Sequence, residues 1–447
     1  MFLLIMARMP VALSMLAVGS AGYVYFVGLS SFLNFLNATP YYLFANYTLS
    51  VIPLFVLMGA FAERSGLARD LFALCSILVG RMRGGLGISV IGACSIFGAI
   101  CGSSLATTAT FSRAALPEMK RLRYEPAFGS AIIAVGGVVD LLIPPSIILV
   151  IYAIIAEQNI AKLFQAALVP GMFAVVLYCL VIRIVASRNP ALAPIHEKSD
   201  GERRVSGSLL SVWPALLVIL VVLGGIYSGI FTATEAAGVG VVLMLLAGLM
   251  QRRLSWSDFT DSLVQTATTS AMIFAVLLGA EVFNAFLALT QMPEEAAELI
   301  GGLSISPYAV MAALMVFYIL LGGVMDELAM MLLTIPVVFP IINTLDFGIP
   351  KDEVGIWFGI LVLTVVGIGL IAPPIGLGVL IVTSIARDVS IVQVYRRVLP
   401  FVAADFIRLA VLTAFPGVTL FVVAPSARAP QSEPRTHRQS RSRVIPP

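Results

Sequence analysis

Residues 101–106 read CGSSLA and place a small polar turn inside an otherwise apolar run that extends over 84–121. Basic residues flank this run on both sides, within 81–83 and 120–123. Because Lys and Arg gather on the cytoplasmic side of membrane proteins, both ends of the run are predicted to lie on that side. The sequence therefore predicts a re-entrant hairpin that turns at 102–104. Non-helical backbone at that depth requires protein or a wet cavity beside it.

The composition is that of a membrane protein. Of the 447 residues 60% are hydrophobic and 11% are charged, and the mean hydropathy is +1.02, whereas soluble domains carry about 25% charged residues. The long apolar runs predict a polytopic protein with the lipid bilayer as its solvent. A net charge of +3 gives no reason to expect a nucleic-acid partner. The sequence has no Cys-x-x-Cys, nucleotide-binding or hydrolase motif, so we expect neither an enzyme nor a cofactor.

A second apolar run, over 305–342, repeats the pattern with opposite sidedness. Its flanks lack basic clusters, and residues 322–326 in its middle read GGVMD. A double proline follows each run, at 144–145 and at 373–374. Inverted repeats with paired broken helices are typical of secondary transporters. The charge pattern places the N-terminus in the cytoplasm and the C-terminus outside.

The other segments divide the chain into scaffold helices and amphipathic arms. The stretch 29–46 carries no Lys or Arg and is interpreted as an external connection, while 252–262 is interpreted as a surface helix separate from the span 263–288. The predicted units are N-terminal scaffold helices 1–62, an amphipathic arm 63–83, the first hairpin and broken helix 84–156, scaffold helices 157–288 with a cytoplasmic linker 188–208, a second arm 289–304, the second hairpin and broken helix 305–386, a last scaffold helix 387–423 and a disordered basic tail 424–447.

The hairpin tips have the chemistry of a cation site. Glycine lets carbonyl oxygens converge, serine adds hydroxyl oxygens, and proline removes a backbone donor and frees carbonyls upstream. Helix N-termini beginning at 104 and 326 offer N–H groups to a carboxylate. The alternative is that small residues simply permit close helix packing. The predicted cation-binding residues, for Na⁺ and no other metal, are Gly102, Ser103, Ser104, Pro144, Pro145, Gly322, Gly323, Asp326, Pro373 and Pro374.

Charged residues within apolar stretches are the second group of candidates, because an intramembrane charge is costly and usually functional. Asp326 either caps its helix or binds a cation. Asp140 is a proton or cation site, or pairs with a basic residue that the sequence does not identify. Arg113 contacts an anionic substrate or extends to the cytoplasm. The predicted substrate-binding residues are Ser103, Arg113, Asp140 and Asp326.

Several motifs resemble those of one transporter family. CGSSLATTATFSRAALPEMKRLRYEPA (101–127), GGVMDELAMMLLTIPVVFPII (322–342) and GLIAPPIGLGVLI (369–381) are similar to the large membrane subunit of tripartite ATP-independent periplasmic (TRAP) transporters. The resemblance covers about 5–423. It implies an elevator-type, Na⁺-coupled importer of organic acids (carboxylates) in the bacterial inner membrane. Such a subunit works with a small four-helix membrane subunit and a periplasmic substrate-binding protein.

The resemblance leaves several questions open. It implies polar residues at three positions where this chain has Gly367, Ala372 and Gly378, so the Na⁺ stoichiometry, and whether H⁺ substitutes, stays undetermined. An elevator-type symporter without a binding protein is the alternative function. An intramembrane enzyme using Asp140 and Asp326 is disfavoured, because these residues lie in separate repeats and no protease motif accompanies them.

Overall fold

The computed structural model describes residues 1–80, 82–194, 205–302, 305–323 and 325–423. Within these residues all regular structure is helical, which confirms the predicted all-α fold class. Among these described residues, six helices are long and apolar enough to cross a bilayer, or seven if one bent pair counts as a single span. The predicted tail 424–447 and part of the linker 188–208 lie outside the described residues.

In the part of the chain that the structure describes, three 3₁₀ helices lie between the α-helices, at Tyr47–Ser50, Val139–Leu142 and Pro190–Leu192. The α-helices are α1 (Phe2–Met6), α2 (Val11–Val27), α3 (Leu29–Phe44), α4 (Val51–Arg64), α5 (Leu67–Val79), α6 (Gly85–Cys101), α7 (Ser104–Arg121), α8 (Pro126–Val138), α9 (Ile147–Ile155), α10 (Ile160–Arg188), α11 (Val205–Tyr227), α12 (Ala233–Met250), α13 (Trp256–Thr290), α14 (Met292–Gly302), α15 (Pro307–Gly322), α16 (Glu327–Thr344), α17 (Lys351–Ile371), α18 (Leu377–Ile385), α19 (Ile391–Ala414) and α20 (Pro416–Leu420).

The first hairpin consists of α6 and α7, and its turn lies at the predicted position. Gly102 ends α6 with φ 62° and ψ 16°, a left-handed conformation that favours glycine. Ser103 is the N-cap of α7, and its hydroxyl accepts a hydrogen bond from the Ala106 N–H. The predicted broken helix follows as α8, the 3₁₀ helix Val139–Leu142 and α9, with a bend of 43° at the double proline.

The second hairpin consists of α15 and α16, and α17 and α18 form the broken helix that follows it. Asp326 is the N-cap of α16. α17 ends at Ile371, immediately before the Ala372-Pro373-Pro374 break, and α18 begins at Leu377. Both repeats thus contain a hairpin and a proline-broken helix in the same chain order.

The two repeats are packed reciprocally. The return arm of the first hairpin, α7, contacts α18, which is the distal half of the second broken helix. The return arm of the second hairpin, α16, contacts α9, which is the distal half of the first broken helix. The return arm of each hairpin therefore packs against the other repeat, as an internal two-fold relation between the repeats requires.

One sequence prediction about helix boundaries is wrong, and one predicted connection contains a helix. Residues 29–44, within the predicted external connection, form the helix α3, and aromatic side chains hold this segment on α2. Tyr23 stacks on Phe35 with ring centroids 5.1 Å apart. Residues 256–290 form the single helix α13 instead of a surface helix and a span. No proline occurs in this segment and its first glycine is Gly279, so the change from polar to apolar residues does not interrupt the backbone.

The predicted arms are helical, as α5 and α14.

The centre of the molecule is formed by helices that are apolar on all sides. Every residue of α17 from Val354 to Ile371 is buried, as is α8 from Ala127 to Val138. A helix with no polar face belongs in the interior of a bundle. These two buried helices are the first halves of the two broken helices.

A buried polar triad joins α10 to α19. The Tyr178 hydroxyl donates to Asp405 Oδ2 at 2.6 Å, and Arg408 Nη2 lies 2.9 Å from Asp405 Oδ1. The side chains of Asp405 and Arg408 are 0% and 3% exposed. A buried ion pair adds little net stability by itself, but loss of one partner leaves an uncompensated charge in an apolar interior.

We therefore expect Arg408→Met to lower the free energy of unfolding by about 3–5 kcal/mol, because Asp405 then stays buried without its cation. The exposed pair of Lys120 with Asp388 provides the control, and Lys120→Met should cost at most about 1 kcal/mol. Thermal unfolding of the purified protein in one detergent measures both. Equal stability of the Arg408→Met and Lys120→Met variants, or no rescue of Arg408→Met by the added change Asp405→Leu, would contradict this role.

Candidate functional site

The first hairpin tip rests on the break of its own repeat. A Cβ atom placed on Gly102 would lie 3.3 Å from the backbone N of Ile147 and 3.5 Å from the carbonyl O of Pro145. The tip therefore lies in contact with the backbone of the double-proline segment and with the Ile147 side chain. This close approach is the contact that the Gly-Ser-Ser turn makes possible.

The second tip makes the equivalent contact. A Cβ atom on Gly323 would lie 3.0 Å from Cδ of Pro374, and one on Gly369 would lie 2.7 Å from the carbonyl C of Gly322. Asp326 caps α16, since its Oδ1 accepts hydrogen bonds from the N–H groups of Leu328 and Ala329, both at 3.1 Å. The cap uses one carboxylate oxygen of this half-buried side chain, and Asp326 also lines the cavity described below.

One hydrogen-bonding contact joins the two hairpins. The Ser104 hydroxyl lies 3.0 Å from each carboxyl oxygen of Glu327, with one side chain at the start of α7 and the other at the start of α16. Ser104 is 1% exposed and Glu327 is 7% exposed. Within the described ranges, this is the only side-chain hydrogen-bonding contact between the two hairpins. It holds the first turns of both return arms together.

A cavity of about 420 Å³ lies where the tips meet. Its walls come from both hairpin tips, from α9 and from two helices outside the hairpins, α4 and α13. Polar groups line it on both sides: Ser103, Asp326 and Glu327 from the hairpins, and Glu63, Gln265 and Thr269 from α4 and α13. Mixed apolar walls with a few polar groups are typical of small-molecule sites.

A second buried carboxyl lies behind the first tip. Asp140, in the 3₁₀ helix before the double proline, is 1% exposed. Its Oδ2 accepts a hydrogen bond from the Thr107 hydroxyl at 2.8 Å, and its Oδ1 has no hydrogen-bond partner. The first turn of α7 thus carries two hydroxyls that bond two carboxyls, Ser104 to Glu327 and Thr107 to Asp140.

The donor set suits a hard monovalent cation better than a transition metal. Near the cavity the available ligands are carboxylate, hydroxyl and backbone oxygens, whereas no group of three or more His, Cys, Asp or Glu forms a metal cluster among the residues that the structure describes. α7 also begins at the first tip, where its N-terminal N–H groups favour an anionic group, whereas the Asp326 carboxylate already accepts hydrogen bonds from the N–H groups of α16.

Comparison with known proteins identifies this architecture. The family model described as "Tripartite ATP-independent periplasmic transporter, DctM component" matches residues 1–418. The chain belongs to this TRAP permease family. It is 34% identical over 378 residues to the C4-dicarboxylate TRAP transporter large permease protein DctM of Pseudomonas aeruginosa, covering 84% of this chain and 86% of that protein.

A second relative and one solved structure extend the comparison. The chain is 28% identical over 421 residues to the sialic acid TRAP transporter large permease protein SiaM of Vibrio cholerae, covering 94% of this chain and 96% of that protein. The crystal structure of the YdaH transporter of Alcanivorax borkumensis aligns with a TM-score of 0.65 at 15% identity, covering 91% and 97% of the two chains. This likeness concerns the fold alone.

The predicted site residues of this TRAP permease fall into three places. Gly102, Ser103 and Asp326 line the cavity. Ser104 lies beside them in the contact with Glu327. The other predicted cation-site residues lie outside the cavity lining: Gly322 and Gly323 belong to the second tip, and Pro144, Pro145, Pro373 and Pro374 belong to the two breaks.

Two predicted substrate residues lie away from the cavity wall. The side chain of Arg113 is 66% exposed and forms an ion pair with Glu63 at 3.7 Å. Arg113 does not line the cavity, whereas Glu63, with which it forms the ion pair, does. Asp140 is buried behind the first tip, where Thr107 is its only hydrogen-bond partner among the described residues.

Sequence reasoning missed Glu327 as a site residue. Its position directly after the capping residue Asp326 makes it look like part of an ordinary helix start, although the rule that singles out Asp140 applies to any intramembrane carboxyl. The sequence did not reveal the contributions of Glu63, Gln265 and Thr269, because they belong to helices far from the hairpins in the chain.

We expect Ser104→Ala to loosen the contact between the tips, because Glu327 then loses its hydroxyl donor. Cys101 lies at the tip, is 5% exposed and lines the cavity, so its thiol reports on this opening. Its rate of maleimide labelling, assigned by peptide mass spectrometry, should rise several-fold. Ser112→Ala is the control, since that buried hydroxyl of α7 bonds only the carbonyl of Thr108. Equal labelling in both variants would contradict a holding role for Ser104.

Proposed function

We propose that this chain is the membrane-embedded permease of a tripartite carrier that imports a small carboxylate, driven by the Na⁺ gradient. The observation that carries the proposal is the meeting of two hairpin tips, one from each inverted repeat, at one cavity. Membership of the TRAP permease family supports the same function.

The tips are suited to bind substrate and cation together. The N-terminal N–H groups of α7 favour the substrate's negative charge, while Ser103 and Asp326 supply oxygen atoms for a cation at the same wall. A substrate carboxylate and Na⁺ reduce each other's charge in an apolar surrounding, so each is expected to bind better when the other is present. This mutual dependence is the physical basis of symport.

The elements that form the two walls of the cavity indicate which part of the protein moves. One wall comes from the hairpins and α9, which are interlocked with one another, and the other wall comes from α4 and α13. We propose that the interlocked unit slides past α4 and α13 as an elevator and carries the cavity contents across the membrane. An N-terminus in the cytoplasm and a C-terminus in the periplasm follow from the basic clusters.

The proposed partners are a small membrane subunit and a periplasmic binding protein. Large permease proteins of C4-dicarboxylate and sialic acid TRAP transporters are relatives of this chain, and both names denote carboxylate substrates. Selectivity among carboxylates would then rest largely with the binding protein. The competing function is a symporter that works without a binding protein.

Reconstitution into liposomes separates these functions. Radiolabelled succinate and sialic acid serve as probes, with the cognate small subunit and binding protein added together or left out. We expect accumulation of one probe only with all three components and an inward Na⁺ gradient. Uptake at full rate by this chain alone would establish the symporter without a binding protein, and uptake indifferent to Na⁺ would overturn Na⁺ coupling.

Substitution of the tip hydroxyls tests the cation site in the same assay. Ser103→Ala and Ser104→Ala each remove an oxygen atom at the first tip, so the Na⁺ concentration for half-maximal uptake should rise by roughly tenfold, or about 1.4 kcal/mol. Ser112→Ala keeps the tip intact and should leave this concentration unchanged. If both tip variants retain the normal Na⁺ dependence, the serines serve close helix packing instead.

A further inference from the structure

The Asp140 carboxyl has no counter-charge. Among the described residues, no Lys, Arg or His side chain lies within ion-pair distance of it. Its Oδ2 is bonded by Thr107, and its Oδ1 is buried without a partner. Burial of an ionised carboxylate without a paired cation is strongly unfavourable, so a carboxyl in this position requires a ligand.

The backbone of α6 is shaped around this side chain. A Cβ atom placed on Gly98 would overlap Cβ of Asp140, so residue 98 must lack a side chain for Asp140 to occupy its position. Gly98 and Thr107, from the two arms of the first hairpin, thus form the walls of a pocket for one carboxyl group.

The ionisable groups around Asp140 are few. Two thiols of α6, Cys94 and Cys101, and the carboxyl of Glu327 interact with it electrostatically. The helix α8 carries no ionisable residue, and Tyr152 of α9 donates its hydroxyl hydrogen to the carbonyl of Gly355. None of these groups provides a positive charge.

The two other helices packed on the 3₁₀ helix Val139–Leu142 present glycines to it. A Cβ on Gly171 of α10 would lie 2.7 Å from the Leu142 carbonyl O, and one on Gly367 of α17 would lie 3.5 Å from Cδ1 of Leu141. The charged residues of these two helices are at least nine positions from the contact, which is about 13 Å along a helix. They are Lys162, Arg183 and Arg188 on α10 and Lys351, Asp352 and Glu353 on α17.

The surroundings favour a proton over a metal ion as the missing ligand. A hard cation needs several oxygen ligands, and the only neighbouring side-chain oxygen bonded to Asp140 among the described residues is that of Thr107. The thiols of Cys94 and Cys101 are soft donors that do not suit Na⁺. A proton needs no further ligand, because it converts the carboxylate to a neutral acid.

We propose that Asp140 is a proton-binding site inside the hairpin unit, with the proton on Oδ1, and that uptake by this permease carries a proton in addition to Na⁺. The role in uptake rests on the proposed function, whereas proton binding by Asp140 does not. A proton from cavity water joins the carboxylate to give the acid, and the acid later returns it to water on the other side. No electrons are exchanged.

A row of polar side chains lies between Asp140 and the cavity. Glu327 lines the cavity and contacts Ser104, while Thr107 bonds Asp140. Ser104 and Thr107 are three positions apart on α7, so their side chains are neighbours on one helix face. Glu327 is therefore the group through which a proton enters and leaves.

Infrared spectroscopy of the purified full chain in liposomes tests proton binding without any substrate. We expect a carbonyl stretch of a buried protonated carboxylic acid at neutral pH, which Asp140→Asn removes and which Thr107→Val shifts in frequency. Glu327→Gln should retain the band and slow its shift in D₂O at least tenfold. Asp388→Asn is the control, because the hydrogen bond from Lys120 lowers the pKa of this exposed carboxyl and keeps it ionised.

The infrared measurement tests proton binding by Asp140 independently of whether the chain transports a substrate. A band that is absent from the wild type, or unchanged by both Asp140→Asn and Thr107→Val, would overturn the site whether or not the chain transports anything. If Asp140→Asn does not fold, the frequency shift in Thr107→Val decides the question.

The role in uptake is measured with the complete transporter in liposomes under a Na⁺ gradient and no pH gradient. An entrapped pH dye and radiolabelled succinate or sialic acid, whichever is accumulated, give the number of protons per substrate. This ratio should fall at least tenfold in Asp140→Asn and stay unchanged in Asp388→Asn. Uptake without proton entry in the wild type would refute proton coupling while leaving the proposed function intact.

Discussion

An interrupted helix in an apolar medium leaves backbone N–H and C=O groups that must be satisfied within the protein, and the architecture of this permease follows from that requirement. Each double proline breaks a helix, the first pair (Pro144, Pro145) being buried and the second pair (Pro373, Pro374) exposed, and the tip of a hairpin contacts each break. The contacts at Gly102 and Gly323 show how close this approach is, since a side chain at either position would meet Ile147 or Pro374. The breaks and the tips therefore depend on one another.

The same constraint explains where polar side chains are found. Ser104, Thr107 and Glu327 lie in the first turns of helices that begin at the tips, where the chain must already leave regular structure. Asp405 and Arg408, in contrast, lie within the continuous helix α19, and there the charges neutralise each other with the help of Tyr178. Paired charges are thus built into an unbroken helix, and unpaired carboxyls are found beside breaks.

Much of the fold was predictable from the sequence because its signals are local. The CGSSLA turn, the GGVMD turn and the two double prolines interrupt long apolar runs, and the structure shows helix ends at each of them. The boundaries of α3 and α13 were not predictable in this way. α3 is held by the stacking of Tyr23 on Phe35, and α13 continues through a change in polarity that alters its surroundings but not its backbone.

The site could be predicted only in part, for a physical reason. A tip can be identified from its own glycines and serines, but its partner across the cavity lies far away in the chain. Ser104 and Glu327 are 223 positions apart, and no local pattern in either hairpin specifies that pairing. Gln265 and Thr269 likewise become part of the cavity only because α13 packs beside α4.

The reciprocal packing of α7 on α18 and of α16 on α9 has a consequence for how such a protein is made. Each return arm packs on helices of its own repeat and also on the other repeat, so an isolated half of the chain would leave part of its return arm uncovered. The first hairpin emerges from the ribosome long before α18 is synthesised, so its contact with α18 forms only later. Assembly of the unit is thus completed only when the second repeat has been inserted.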